Sequence, residues 1–179
     1  MKLTLLQQFR PTLLFLAKFL GLYVTGSILY GLWITAYHPA PDPVTIWVTE
    51  QTAFFIRLFG WEVSALAFPS KPTTSVVFED HSIISVYEGC NGINVIIIFW
   101  SFLFAFGPVG RRLLIYSLAG LLIIHVANLF RIGLLFFVSI YYSRFLFFTH
   151  KYLFTAIIYA VVFGLWVFWV SKNFKKRTS

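Results

Sequence analysis

One cysteine is all this chain carries, which excludes an internal disulfide, CxxC redox chemistry and cysteine-rich metal sites. Charge is scarce as well: 11% of residues are Asp, Glu, Lys or Arg, against roughly 25% in a water-soluble domain. Such a deficit excludes an ordinary solvated surface. Only six residues are acidic (Asp42, Glu50, Glu62, Glu79, Asp80 and Glu88), and all of them fall in one central stretch.

What is abundant is apolar. Hydrophobic residues make up 59% of the 179 positions, and mean hydropathy is +0.83. Lipid is therefore the expected solvent for most of the surface. The net charge of +8 is not a nucleic-acid footprint, because nine of the fourteen basic residues gather at three points between apolar runs. These are Lys2, Arg10 and Lys18; Arg111 and Arg112; and Lys172, Lys175, Lys176 and Arg177. A polytopic membrane protein that keeps positive charge inside has this pattern.

The expected fold is an all-α polytopic membrane protein in a single domain over residues 1–179. It has about four transmembrane helices, over about 13–37, 91–106, 113–141 and 150–171. The first run lacks a small-residue cleavage site and is long enough to span, so it reads as a membrane helix rather than a signal peptide. Proline ends it at Pro39. Residues 44–59 have polar and apolar faces and predict an interfacial helix. Residues 61–87 break into short β-type runs divided by PSKPTT and by Asp80-His81, predicting a small β-hairpin-like segment outside the membrane. Short loops are expected at 107–112 and 143–149. With the three basic clusters inside, both termini and the 107–112 turn are cytoplasmic, and residues 38–90 and 143–149 are outside.

This topology aligns three distant residues. Cys90 opens the second span on its outer side, and His150 opens the fourth. Arg131 lies eighteen residues beyond Leu113, about 27 Å along a helix and so near the outer interface. A cysteine nucleophile acts as its thiolate. A helix N-terminus and a guanidinium favour that anion, and a guanidinium can also hold the oxyanion of a tetrahedral intermediate. A histidine can take the thiol proton and return one to a leaving amine. Gly89 and Gly92 flank the cysteine and permit close backbone approach.

Plainer readings compete with each of these. Cys90 can be a small packing residue, Arg131 a snorkelling interfacial one, and His150 a helix-terminal one. His125, Asn128 and Arg131 share a helix face by spacing; His125 reads as an interhelical hydrogen-bonding residue, and Asn128 as a group that orients Arg131. Glu79, Asp80, His81 and Glu88 lack metal-ligand spacing and read as a solvated edge. The phenylalanines and tryptophans read as lipid-facing material. No cofactor and no metal is expected.

Cys90-Asn91-Gly92 at the head of one span, Asn128 to Ile132 late in the next, and His150 at the head of the last together resemble the exosortase/archaeosortase family. The segments QTAFF, EGCNGINVIII and AIIYAVVFGLWVFWV are similar to the short Bacteroidetes exosortases, exosortase F, over nearly the whole chain. The resemblance implies a cysteine peptidase or transpeptidase in the bacterial inner membrane, with its site on the periplasmic face. Its substrates would be exported proteins ending in a short motif, a transmembrane helix and a basic tail. Carried over, Cys90 is the nucleophile, Arg131 the activating or oxyanion-binding group and His150 the acid/base, with Asn128 and Gly92 supporting. Larger relatives have about twice as many spans, and commonly a serine where this chain has Asn91. Two other classes stay open on the residues alone: a non-enzymatic membrane subunit assisting export or polysaccharide assembly, and a thiol acyltransferase acting on lipid.

Overall fold

A computed structural model describes residues 5–175. Lys2, Lys176 and Arg177, which contribute to the expected orientation, lie outside the described residues. The fold is mostly helical. Helix α1 (Leu5–Tyr37) is followed by α2 (Pro43–Arg57) and by strands β1 (Val63–Ala67), β2 (Thr73–Phe78) and β3 (His81–Tyr87). Helices α3 (Ile93–Phe106) and α4 (Arg111–Tyr141) come next. After a 3₁₀ turn (Ser143–Phe145), a single turn α5 (Leu146–Phe148) and a π segment (Thr149–Leu153), α6 (Phe154–Lys175) completes the chain.

Among the described residues, three helical segments are long and apolar enough to cross a membrane: Phe9–Tyr37, Arg111–Tyr141 and Ser143–Lys172. The expected span over 91–106 becomes a shorter apolar helix, Ile93–Phe106. Its 14 residues reach about 21 Å, short of a hydrocarbon core of about 30 Å. The shortfall has a local cause. Asn91 and Gly92 form the turn that opens α3, and Gly107, in extended conformation, ends it. The last span is longer than expected, because Phe145 to Phe148 contain no helix breaker and continue as helical turns where a loop was predicted.

The extramembrane prediction of a hairpin-like element is met and extended. The three strands form one antiparallel sheet in the order β1-β2-β3. Glu79 and Asp80, with φ of +48° and +61°, turn β2 into β3. Two consecutive positive φ values match the right-handed twist of the flanking strands, as in a type I′ hairpin. His81 Nδ1 closes the turn on the Glu79 carbonyl at 2.6 Å.

Helix α2 starts where Asp42 accepts hydrogen bonds from the Val44 and Thr45 amides at 2.9 and 3.1 Å, with Pro43 at its first position. Both are favoured N-terminal signals. Trp47 and Phe54 stay exposed, while the opposite face is buried in protein. There Ala53 and Ile56 pack with Val63, Val76 and Phe136, joining α2, the sheet and α4. Thr49 and Thr52 are buried on that face, with hydroxyls returned to the carbonyls of Thr45 and Val48 at 2.7 and 2.9 Å, so burial leaves neither unsatisfied.

A second core lies among the long helices, where Phe99 and Leu103 of α3 meet Leu113 and Ile124 of α4 and Ile158 and Val162 of α6. It depends on Gly120. A Cβ there would come within 2.2 Å of the Phe99 ring, which is fully buried and has nowhere to retreat. Gly120→Ala is accordingly expected to destabilise the protein by about 1–3 kcal/mol through overpacking, read as a lower unfolding midpoint in detergent. Unchanged stability would show that Phe99 repacks freely.

Members of two basic clusters meet at one end of the bundle: Lys18, Arg111 and Arg112 line a cavity of about 1020 Å³ together with Phe15 and Trp169. Arg131 is twenty residues further along α4, about 30 Å away by helix rise.

Candidate active site

The loop between β3 and α3 carries the cysteine, and it is fastened by its backbone. The Cys90 amide donates to the Tyr87 carbonyl at 2.7 Å, and the Cys90 carbonyl accepts from Asn128 Nδ2 at 2.9 Å. Gly92 then adopts φ +90°, a conformation that favours glycine. A side chain there would also press on Asn128, since a Cβ would lie 3.3 Å from its amide group. Asn128 has no exposed surface, so the fit between Gly92 and α4 is close.

The side chain of Cys90 is 4% exposed and sits among Val48 of α2, Val86 of β3 and Ile132 of α4. Two polar groups reach its sulfur. His150 Nε2 lies 3.4 Å from Sγ, and Arg131 Nη2 donates to Sγ at 3.6 Å. Arg131 Nη1 also reaches Asn128 Oδ1 at 3.5 Å, so Asn128 holds the cysteine loop with one end of its amide and the guanidinium with the other. The buried Arg131 Nε has no hydrogen-bond partner among the described residues. A desolvated donor of this kind is costly unless something accepts from it.

His150 reaches the sulfur from the π segment, whose wider turn sits between α5 and α6. Such insertions reset the direction of side chains and recur at functional sites. Thr149 Oγ1 donates to the Phe145 carbonyl at 2.8 Å, and Thr155 Oγ1 donates to the His150 carbonyl at 3.3 Å, pinning the segment at both ends.

The five residues singled out in the sequence thus converge at one place. His125 does not join them. Its Nε2 pairs with Gln51 Oε1 of α2 at 2.6 Å and its ring stacks on Trp47 at 5.1 Å, which is the interhelical role expected of it.

Three positions gain significance only in the structure. Asn91, 2% exposed, donates to Tyr30 Oη at 2.7 Å and Thr45 Oγ1 at 3.0 Å and accepts from the Ile93 amide at 3.0 Å. It ties α1, α2 and the start of α3 together immediately beside the cysteine. Tyr30 Oη in turn donates to the Glu88 carbonyl at 3.2 Å. Tyr87 packs over Gly89, where a Cβ would meet its ring at 2.3 Å. Electrostatic interaction with Cys90 first, and burial second, raise the Tyr87 pKa above the usual phenol value. The one sequence signal for Asn91 was its place between the cysteine and a glycine.

Cys90 and His150 open into a cavity of about 380 Å³ whose other walls include Tyr87, Ile132, Leu135 and Phe147. That size lies within the range of small-ligand clefts, about 300–1,000 Å³. The larger basic cavity lies at the opposite end of α4, and neither a cysteine nor a histidine lines it.

No curated protein and no solved structure matches the chain. The family model of the transmembrane exosortases matches residues 4–171. Because that match takes in nearly the full length, including every residue of the site described above, the chain belongs to the transmembrane exosortase family.

Proposed function

We propose that this protein is a membrane-embedded cysteine peptidase or transpeptidase of the short exosortase F kind, which cleaves C-terminal sorting signals from exported proteins. The observation that carries the reading is a single sulfur within 3.4 Å of a histidine nitrogen and 3.6 Å of a guanidinium nitrogen, at the mouth of a cavity. In this reading His150 Nε2 accepts the Cys90 thiol proton, and Sγ attacks the carbonyl carbon of the scissile peptide. The carbonyl oxygen becomes an oxyanion, and Arg131 is placed to donate to it. Collapse breaks the C–N bond, His150 returns its proton to the departing amine, and the upstream part of the substrate remains as a thioester on Cys90. Attack by water completes a hydrolysis; attack by an amine completes a transpeptidation.

Depth supports the assignment of substrate. Lys18, Arg111 and Arg112 share one end of the bundle, and Arg131, which reaches Cys90, lies about 30 Å away along α4, at the opposite end. With the basic end cytoplasmic, both termini are cytoplasmic and the site faces the periplasm of a bacterial inner membrane. The stretch from Cys90 to Arg111 then crosses as a fourth pass, α3 supplying about 21 Å and the extended residues 107–110 most of the remainder. A substrate anchored by its own C-terminal helix and basic tail presents the residues before that helix at this level.

Trapping the covalent intermediate tests the reading. Purified protein incubated with a reporter bearing a motif, a transmembrane helix and a basic tail, then quenched in acid, is expected to carry a hydroxylamine-labile peptide adduct on Cys90 by mass spectrometry. An adduct of fatty-acyl mass would establish a lipid acyltransferase instead. Cleavage of the reporter without any adduct on Cys90 would rule out covalent catalysis.

A further inference from the structure

We infer that the substrate binds as an added β-strand along the free edge of β3, entering the cavity between that edge and the Leu146–His150 wall. The inference rests on the reading of Cys90 as the nucleophile and concerns how the peptide is held. Strand β3 is the last in the order β1-β2-β3, so one of its edges lacks a strand partner. Residues 83–87 all line the cavity that contains Cys90 and His150. Successive side chains of a strand point to opposite faces. Five consecutive residues border one cavity when that cavity runs along the strand's hydrogen-bonding edge.

The direction of the backbone groups can be read from their partners. The Ile83 carbonyl accepts from Ser139 Oγ of α4 at 3.2 Å, and the Tyr87 carbonyl accepts from the Cys90 amide at 2.7 Å. Both therefore face away from β2. Ser85 lies two residues before Tyr87 with the same parity, clear of the bulge that interrupts the pairing with β2 at Ile83. Its side chain touches that of its register partner Ser75, with 3.0 Å between the two oxygens, as in a pair that does not exchange backbone bonds and so brings its side chains closer. Ile84 and Val86 then bond to β2, and Ser85 turns its N–H and C=O outward. Helix α4 covers the edge at Ile83 and the cysteine loop closes it at Tyr87. Ser85 is left as the open rung, on the strand that leads directly into the nucleophile's loop.

An extended peptide fits this edge by chemistry as well as shape. Its backbone supplies the acceptor and donor that Ser85 requires, which is how strand addition generates affinity without depending on side chains. Running past Ser85 towards Tyr87, the peptide arrives at the turn where Cys90 folds back, so its carbonyl passes the sulfur with His150 on the opposite wall. Side-chain specificity would then come from alternate positions only.

Two measurements test this, one on each partner. In the anchored reporter, a proline scan through the residues before the cleavage site is expected to lower processing about ten-fold at the one position whose N–H meets the Ser85 carbonyl and less than about two-fold at its immediate neighbours, because proline removes an N–H only where one is used. A flat scan, or equal loss at adjacent positions, overturns strand addition. In the protein, Ser85→Pro removes the outward N–H and spares the pairing with β2. Processing is expected to fall about ten-fold, while Ser85→Ala stays within about two-fold and both variants are alkylated at Cys90 by N-ethylmaleimide at the wild-type rate. Wild-type processing by Ser85→Pro overturns the proposal, and the substrate scan decides if that variant does not fold. Failure of the peptidase reading has a different signature: Cys90→Ala then still processes the reporter.

Discussion

Cys90→Ala is expected to abolish processing of an anchored reporter, by on the order of 10⁶-fold where a nucleophile is lost, and to leave the fold intact. The two halves of that expectation come from different atoms. Cys90 itself fastens the loop through its backbone alone: its amide on Tyr87 and its carbonyl on Asn128. The side chain contributes the sulfur that His150 and Arg131 address, together with modest packing against Val48, Val86 and Ile132. Removing one buried heavy atom costs about 1 kcal/mol, too little to unfold the protein. The check is a pair of measurements on one preparation: reporter cleavage by immunoblot, and the thermal midpoint in detergent. Cleavage at the wild-type rate by the alanine variant would remove the nucleophile and with it the proposed mechanism. Cys90→Ser is expected to be nearly as inactive, because a hydroxyl in the same place is far less ionised than a thiol.

Arg131→Lys is expected to lower kcat by about 10²–10³-fold, the scale of losing one oxyanion donor, although charge is conserved. The guanidinium addresses two places at once, Nη2 reaching the Cys90 sulfur and Nη1 reaching Asn128 Oδ1. A lysine is a point charge on a flexible stem and cannot reproduce a planar fork. Nothing in this expectation requires weaker substrate binding, so KM should change much less than kcat. A lysine variant with wild-type kcat would return Arg131 to the role of an interfacial anchor. Measuring the N-ethylmaleimide rate at Cys90 in the same variant divides the effect. A slower rate places the guanidinium's contribution on the thiolate, and an unchanged rate places it on the oxyanion.

Much of this arrangement is legible in the residues, for reasons that can be stated. Pro39, the extended Gly107 and the Asp42-Pro43 pair mark helix ends through backbone chemistry that acts locally. The strand runs between 61 and 87 are separated by turn residues, although the reversal falls at Glu79-Asp80, one residue before the Asp80-His81 division read from the sequence. The common depth of Cys90, Arg131 and His150 needs only helix rise and the positions of basic residues. The length of α3 is less legible, because hydropathy counts the apolar residues of a span but not the turn at Asn91 and Gly92 that shortens the helix. The helical continuation through Phe145–Phe148 was likewise hidden, since an aromatic run carries no clear signal for loop or helix.

Composition by itself pointed to lipid as the solvent, charge placement to the proposed topology, and helix rise to a common level for Cys90, Arg131 and His150. They act through terms that do not depend on which helix neighbours which. Facing does depend on it. Helix α4 is apolar nearly all round, so no stripe in its sequence marks the side that meets protein, and lipid is as apolar as a packed leucine. Only tertiary packing turned Asn128 inward to hold both the cysteine loop and Arg131, made Asn91 the tie among three helices, and laid the edge of β3 beside the sulfur. Equal depth became contact at 3.4 and 3.6 Å because buried polar groups had to find partners, and in this fold they found them around Cys90.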